Sequence, residues 1–191
     1  MPKRNRLRRV LILCQRFERN LAYYRVGRRE EYRQVWDYSK NPKNANFWTV
    51  ANGTFIDMCV LEWCKLFADK RGKHYWENTL TDRAGFKAAL LRHLGLNDAA
   101  FDEVIASMVR YRDKFLAHLD SDYVMNIPKL DIPLRVVEFY YSYAIEQEAT
   151  QGELVEFDPE LAVLYRAFER EVKAAYDLVQ RGLPRIGVAA C

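Results

Sequence analysis

Residues 46–69 read NFWTVANGTFIDMCVLEWCKLFAD, a run that is apolar on nearly every face of a helix. A helix of that kind has to be covered on more than one side. The chain must therefore supply several other helices around it. The segment is expected to be the central helix of a bundle, or to be shared between the core and a subunit interface. No alternating strand pattern longer than a few residues competes with this reading, and no internal repeat or low-complexity stretch interrupts it.

Five further helices provide the cover. Leu7, Val10, Leu11, Cys14, Phe17, Leu21 and Tyr24 recur at helical spacing and predict a first helix over 4–36, ended by the Pro and Asn punctuation of YSKNPKNAN. After a loop, KRGKHYWENTLTD, Asp82 is placed to cap a third helix over 83–94, which Gly95 stops. Asn97 caps a fourth over 98–118, and DSDYVMNIPKLDIP is a polar connection. Asp131 caps a fifth over 132–148, with Pro133 tolerated in its first turn. Asp158-Pro159 opens a sixth reaching 181, and Gly182 and Pro184 end it. The expectation is an all-α bundle of about six helices in one domain spanning 1–191. Half of the 191 residues are hydrophobic, enough for one substantial core, and two full domains would be a squeeze.

Charge is unevenly spread. Residues 1–36 carry eleven Lys or Arg against Glu18, Glu30 and Glu31, a balance of +8, so the remainder holds −4 of the net +4. A basic segment on a mildly acidic body suits a polyanion or an acidic protein surface, although a solvated helix face reads the same way. Cys14, Cys59, Cys64 and Cys191 have no metal-ligand spacing and fit reduced thiols better than a disulfide framework. The start MPKRNRLRRVLILC imitates the charged head of a signal peptide, but its apolar stretch is short and Gln15-Arg16 breaks it. No run approaches the roughly 20 apolar residues of a membrane span. A soluble cytoplasmic chain without membrane contact is the expectation.

Chemistry enters at VRYRDKFLAHLD, residues 109–120. Counting from Phe101 at about 100° per residue, Val104, Ile105, Met108, Phe115, Leu116 and Leu119 share one stripe, and Arg112 falls about 20° from Phe101 within it. A permanent charge on a packed face needs a reason. One is a buried ion pair, with Asp57 and Glu62 of the apolar second helix as candidate partners. His118 would then be a cation at the negative end of a helix dipole. The other reason is a functional site. Phosphate-loop, dinucleotide-turn, nucleophile-elbow and HExxH patterns are absent. The three histidines form no recognisable metal-ligand pattern, so no metal and no cofactor is expected. His74 beside Trp76 could stack on a base, but packing is the commoner role, and His93 beside Gly95 reads as an ordinary helix-end residue.

The stretch RDKFLAH, Arg112-Asp113 with His118 after four further residues, resembles the signature of the HEPN superfamily (higher eukaryote and prokaryote nucleotide-binding domains). The resemblance covers about 45–145, an all-α core with the CKLF helix ahead of the motif, and is similar to HEPN-like proteins of bacterial abortive-infection and toxin–antitoxin systems. It implies a metal-independent endoribonuclease working as a homodimer with its site at the dimer interface. Arg112 would contact phosphate, Asp113 would orient it or the histidine, and His118 would be the acid–base group. Lys114 and Arg110 would hold RNA backbone or be solvated. Partners implied are RNA, a second copy and a cognate antitoxin protein. Other superfamily members are inactive dimerisation or nucleotide-binding modules, which is the alternative reading. Six residues on an ideal helix turn by about 240°, so Arg112 and His118 diverge. Either the helix distorts between them or a second copy supplies the missing half.

Overall fold

The computed structural model describes residues 3–117, 126–150 and 154–183. They form an all-helical structure without strands: α1 (Lys3–Gly27), α2 (Arg33–Trp36), α3 (Ala45–Phe67), α4 (Trp76–Thr79), α5 (Arg83–Leu94), α6 (Asp98–Tyr111), α7 (Asp131–Tyr143) and α8 (Leu161–Gly182). The all-α expectation holds, and the count of eight exceeds about six because α2 and α4 are single turns. α6 and α7 each run on into a π-helical turn, Arg112–Ala117 and Ala144–Glu148. No helix among the described residues is long and apolar enough to cross a membrane.

The bundle is centred on α1 and not on the apolar second helix, the first of the two arrangements expected for that segment. Leu7, Val10, Leu11, Cys14, Phe17 and Leu21 are all fully buried. α3 and α8 lie along α1, and α7 and α4 pack on its flank. The physical reason is length of cover. The first half of α3 is open, with Phe47 64% and Val50 59% exposed, and continuous burial starts near Ile56. From there Cys59, Val60, Trp63 and Phe67 are buried in the core that α1 shares, and an aromatic relay runs Trp63–Phe67–Tyr140–Phe86 with centroids 5.0, 5.4 and 5.3 Å apart. Such pairs add specificity to an already dry core.

Several local signals operate as read. Asp82 accepts from Gly85 N and Asn97 from Ala100 N, each satisfying a donor that the first helical turn leaves over. Gly95 closes α5 at φ 68°, a left-handed turn that suits glycine. Two expectations are corrected. The first helix stops at Gly27 and does not reach Trp36; Asn52 and Tyr176 press against Gly27 where any side chain would stand. The chain then folds back, Trp36 Nε1 donating to Gly27 O at 3.2 Å and Arg28 lying over the Trp36 ring. Asp131 is the first residue of α7 and not its cap, and its carboxylate accepts from Arg25 Nη2 at 2.6 Å. Pro184 and Cys191, and much of the connection after α6, lie outside the described residues.

Putting a charged helix at the centre leaves one acid in an awkward place. Glu18 is fully buried on α1, and neither of its carboxylate oxygens has a hydrogen-bond partner among the described residues. Burial first, and then repulsion from Glu138, push its pKa up to about 8, against the pull of Arg25. The folded state therefore holds a proton that the unfolded chain releases near pH 4.5. Stability from this group is complete below that value and is lost as pH rises through about 8. The loss proceeds at no more than about 1.4 kcal/mol per pH unit. Urea melts of parent and Glu18→Gln across this window should show the parent weakening with pH and the permanently neutral variant doing so much less. Parallel profiles would contradict this account.

Candidate functional site

The end of α6 is fastened to α3 by two polar contacts. Tyr111, buried on the inner face, donates its hydroxyl to Asp57 Oδ1 at 2.8 Å. The next residue, Arg112, donates Nη1 to Asp69 Oδ1 at 2.7 Å and Nε to Asp113 Oδ1 at 2.8 Å. Asp69 stands where α3 unwinds. Its N–H and that of Ala68 both donate to Cys64 O at 2.9 Å, and its own carbonyl accepts from Gly72 N at 2.6 Å. The carboxylate that holds Arg112 is thus positioned by the backbone closing the preceding helix.

Arg112 lies at the edge of the packed stripe. Phe101, Met108 and Tyr111 are the buried residues of α6, while Val104 and Ile105 are half-buried. The Arg112 side chain keeps 25% exposure, and Asp69 and Asp113 keep 42% and 50%. The ion-pair partners expected for it are corrected. Asp57 belongs to Tyr111, and Glu62, fully buried, faces Lys65 Nζ at 3.1 Å and Arg16 Nη1 at 3.8 Å. Asp69 takes the role that they were expected to fill. Sequence spacing could not find it, because the pairing spans 43 positions and depends on where α3 ends.

The helix changes character at this residue. Arg112 N donates to both Met108 O and Val109 O, after which Arg112–Ala117 forms the wider π turn. Such turns insert an extra residue into a helix and recur at functional sites. A distortion between Arg112 and position 118 was one of the two arrangements that the spacing demanded. His118 and Leu119, and the side chains of Phe115 and Leu116, lie outside the described residues.

Of the other expected residues, Asp113 sits against Arg112, while Lys114 and Arg110 are exposed, Arg110 with Glu103 at 4.0 Å. His93 is exposed and packs its ring on Phe139 at 5.0 Å, while Trp76 is buried against Phe86 and is not presented to a ligand. Cys64 lies beside Arg112, but burial pushes its thiol up to about 12 despite the nearby guanidinium, which leaves it a poor nucleophile. Among the described residues no group of three or more His, Cys, Asp or Glu is arranged to hold a metal ion.

Chemically the site offers a guanidinium held in one orientation, with two of its five N–H donors spent on carboxylates. Asp113's hydrogen bond, with the surrounding acids, holds its proton more firmly still. The exposure of all three groups limits what the pair contributes to folding. Arg112→Ala should cost only about 1 kcal/mol in a denaturant melt, as partly solvated pairs do. A loss of about 3–5 kcal/mol, the signature of an orphaned buried charge, would mean that the pair is a core element.

No family model, curated protein or solved structure matches the chain.

Proposed function

We propose that this chain is a HEPN-like, metal-independent endoribonuclease of the cytoplasm, a toxin or anti-phage effector that works as a homodimer and is held in check by a cognate antitoxin. The observation that carries the reading is the Arg112–Asp113 pair, partly exposed, oriented and set at the first residue of a π turn that leads toward position 118. Asp113 and Asp69 aim the fork, Arg112 binds phosphate oxygens, and His118 transfers the proton. A fork of that geometry matches two oxygens of a phosphodiester and keeps its charge at any working pH. Histidine titrates near neutrality and can take the proton of the 2′-hydroxyl or protonate the leaving oxygen. A second copy beside this helix completes the groove. Lys114 and Arg110 extend it along the RNA backbone.

One observation favours the second reading, a catalytically silent dimerisation or nucleotide-binding module. Arg112, Asp69 and Asp113 together carry a net charge of −1, so an incoming phosphate meets net repulsion even though three guanidinium N–H donors remain.

The deciding experiment incubates purified protein with total RNA and a metal chelator. Cleavage should persist in the parent. It should fall by about 10²–10⁴ in His118→Ala through loss of proton transfer. Arg112→Lys should fall nearly as far, since an ammonium cannot reproduce the fork. A parent without activity, or a fully active His118→Ala, leaves the silent module.

A further inference from the structure

The loop after α3 carries a second group of cations, next to the Arg112 pair and unused by it. A cleft of about 350 Å³ opens between the start of α1 and this loop, lined by Arg6, Arg71, Gly72, Lys73 and Asn78. Its wall is tied together from within. Asn78 Nδ2 donates to the carbonyls of Lys70 and Gly72 at 2.8 and 3.0 Å, and Arg6 Nη1 donates to Asn78 O at 3.2 Å. These bonds occupy the backbone oxygens of Lys70, Gly72 and Asn78, while the side chains of Arg71 and Lys73 are exposed.

The cations here lack internal counter-ions. Lys3, Arg8, Arg25 and Arg29, all on or next to α1, each meet a carboxylate. Among the described residues none of Arg6, Arg9, Arg71 and Lys73 does. Two buried donors or acceptors, Arg6 Nε and His74 Nε2, have no hydrogen-bond partner among the described residues. His74 reports the local field. Burial first, then Arg9, Lys65 and Lys73, lower its pKa, with Glu62 opposing. A concave, uncompensated positive surface is suited to an anion. Tyr75 and Trp76 are buried in the core, so no stacking platform for a base accompanies it. The chemistry selects phosphate, not nucleobase.

We propose that this cleft binds backbone phosphates of the same RNA strand that reaches Arg112. The link is Asp69, whose carboxylate holds Arg112 and whose carbonyl accepts from Gly72 N on the cleft wall. Arg71 is two residues further on, at most about 7 Å of extended chain, so a strand seated on one group passes over the other. The identity of the ligand rests on the ribonuclease reading, while the cleft's affinity for it does not.

Binding and cleavage are therefore measured separately. A fluorescent oligouridylate is titrated into full-length His118→Ala protein at rising salt, with and without Arg71→Gln/Lys73→Gln. These two side chains are exposed, and an unchanged melting temperature confirms folding. Affinity at low salt should fall about tenfold. The slope of log affinity against log salt should become shallower by about 1.4, roughly 0.7 for each phosphate no longer neutralised. Arg166→Gln/Arg170→Gln on α8 removes the same charge elsewhere and should change little. In NMR titrations, RNA should raise the His74 pKa in the parent and not in the cleft variant. Unchanged affinity and slope, an equal loss in the α8 control, or a parent that does not bind RNA would each overturn the proposal. Binding that depends on the cleft in a protein that never cleaves RNA upholds the cleft and removes the nuclease reading.

Discussion

Everything else in this molecule is arranged around the burial of α1. A helix with so many basic residues reaches the centre of a bundle only if its charges stay on the rims while Leu7 to Leu21 hold the axis. The charged side chains that remain near the core then need partners. Lys3 meets Glu148, which also accepts from Thr81 N and Thr81 Oγ1, and Arg25 meets Asp131. Burial works against the Glu148 carboxylate, but the bonds from Lys3 and Thr81 outweigh it and hold its pKa below the ordinary range. Glu18 has no such set of donors and is pushed the other way. Two acids at the same helical core thus respond oppositely, and the difference is hydrogen bonding to the charged form.

The loop leaving α3 joins the remaining features. Its first turn presents Asp69 to α6, and its following residues, tied down by Asn78, present cations outward. The Arg112 pair and the basic cleft are consequences of one backbone path, so a change in how α3 ends would move both. The net negative charge around Arg112 and the positive charge of the cleft are complementary parts of one surface. A polyanion would be drawn to the cleft and would meet Arg112 against the repulsion of Asp69 and Asp113.

Much of the fold was legible residue by residue. The boundaries of α5 followed from Asp82 and Gly95, and the start of α6 from Asn97, because capping is a local hydrogen bond between neighbours in the chain. The break after Gly27 was not legible. Asn52 and Tyr176 arrive there from α3 and α8 and crowd Gly27, and nothing nearby in sequence announces them. That α1 takes the central place, one of the two expected for the segment at 46–69, was not legible for a related reason. Overall apolarity favoured the segment at 46–69, yet burial is decided by how many neighbours run alongside, and α1 has more.

The candidate site divides in the same way. Sequence alone determined that a guanidinium would fall within the apolar stripe of a helix, that an acid would follow it, and that a regular helix could not aim Arg112 and His118 together. Those are properties of residue type and helical pitch. Which carboxylate would hold Arg112, how far it would remain exposed, and that the helix would widen at this residue were decided by tertiary structure. Asp69 reaches α6 only once α3 has packed on α1 and unwound at Phe67, and no pattern along the chain encodes a meeting between residues 43 positions apart.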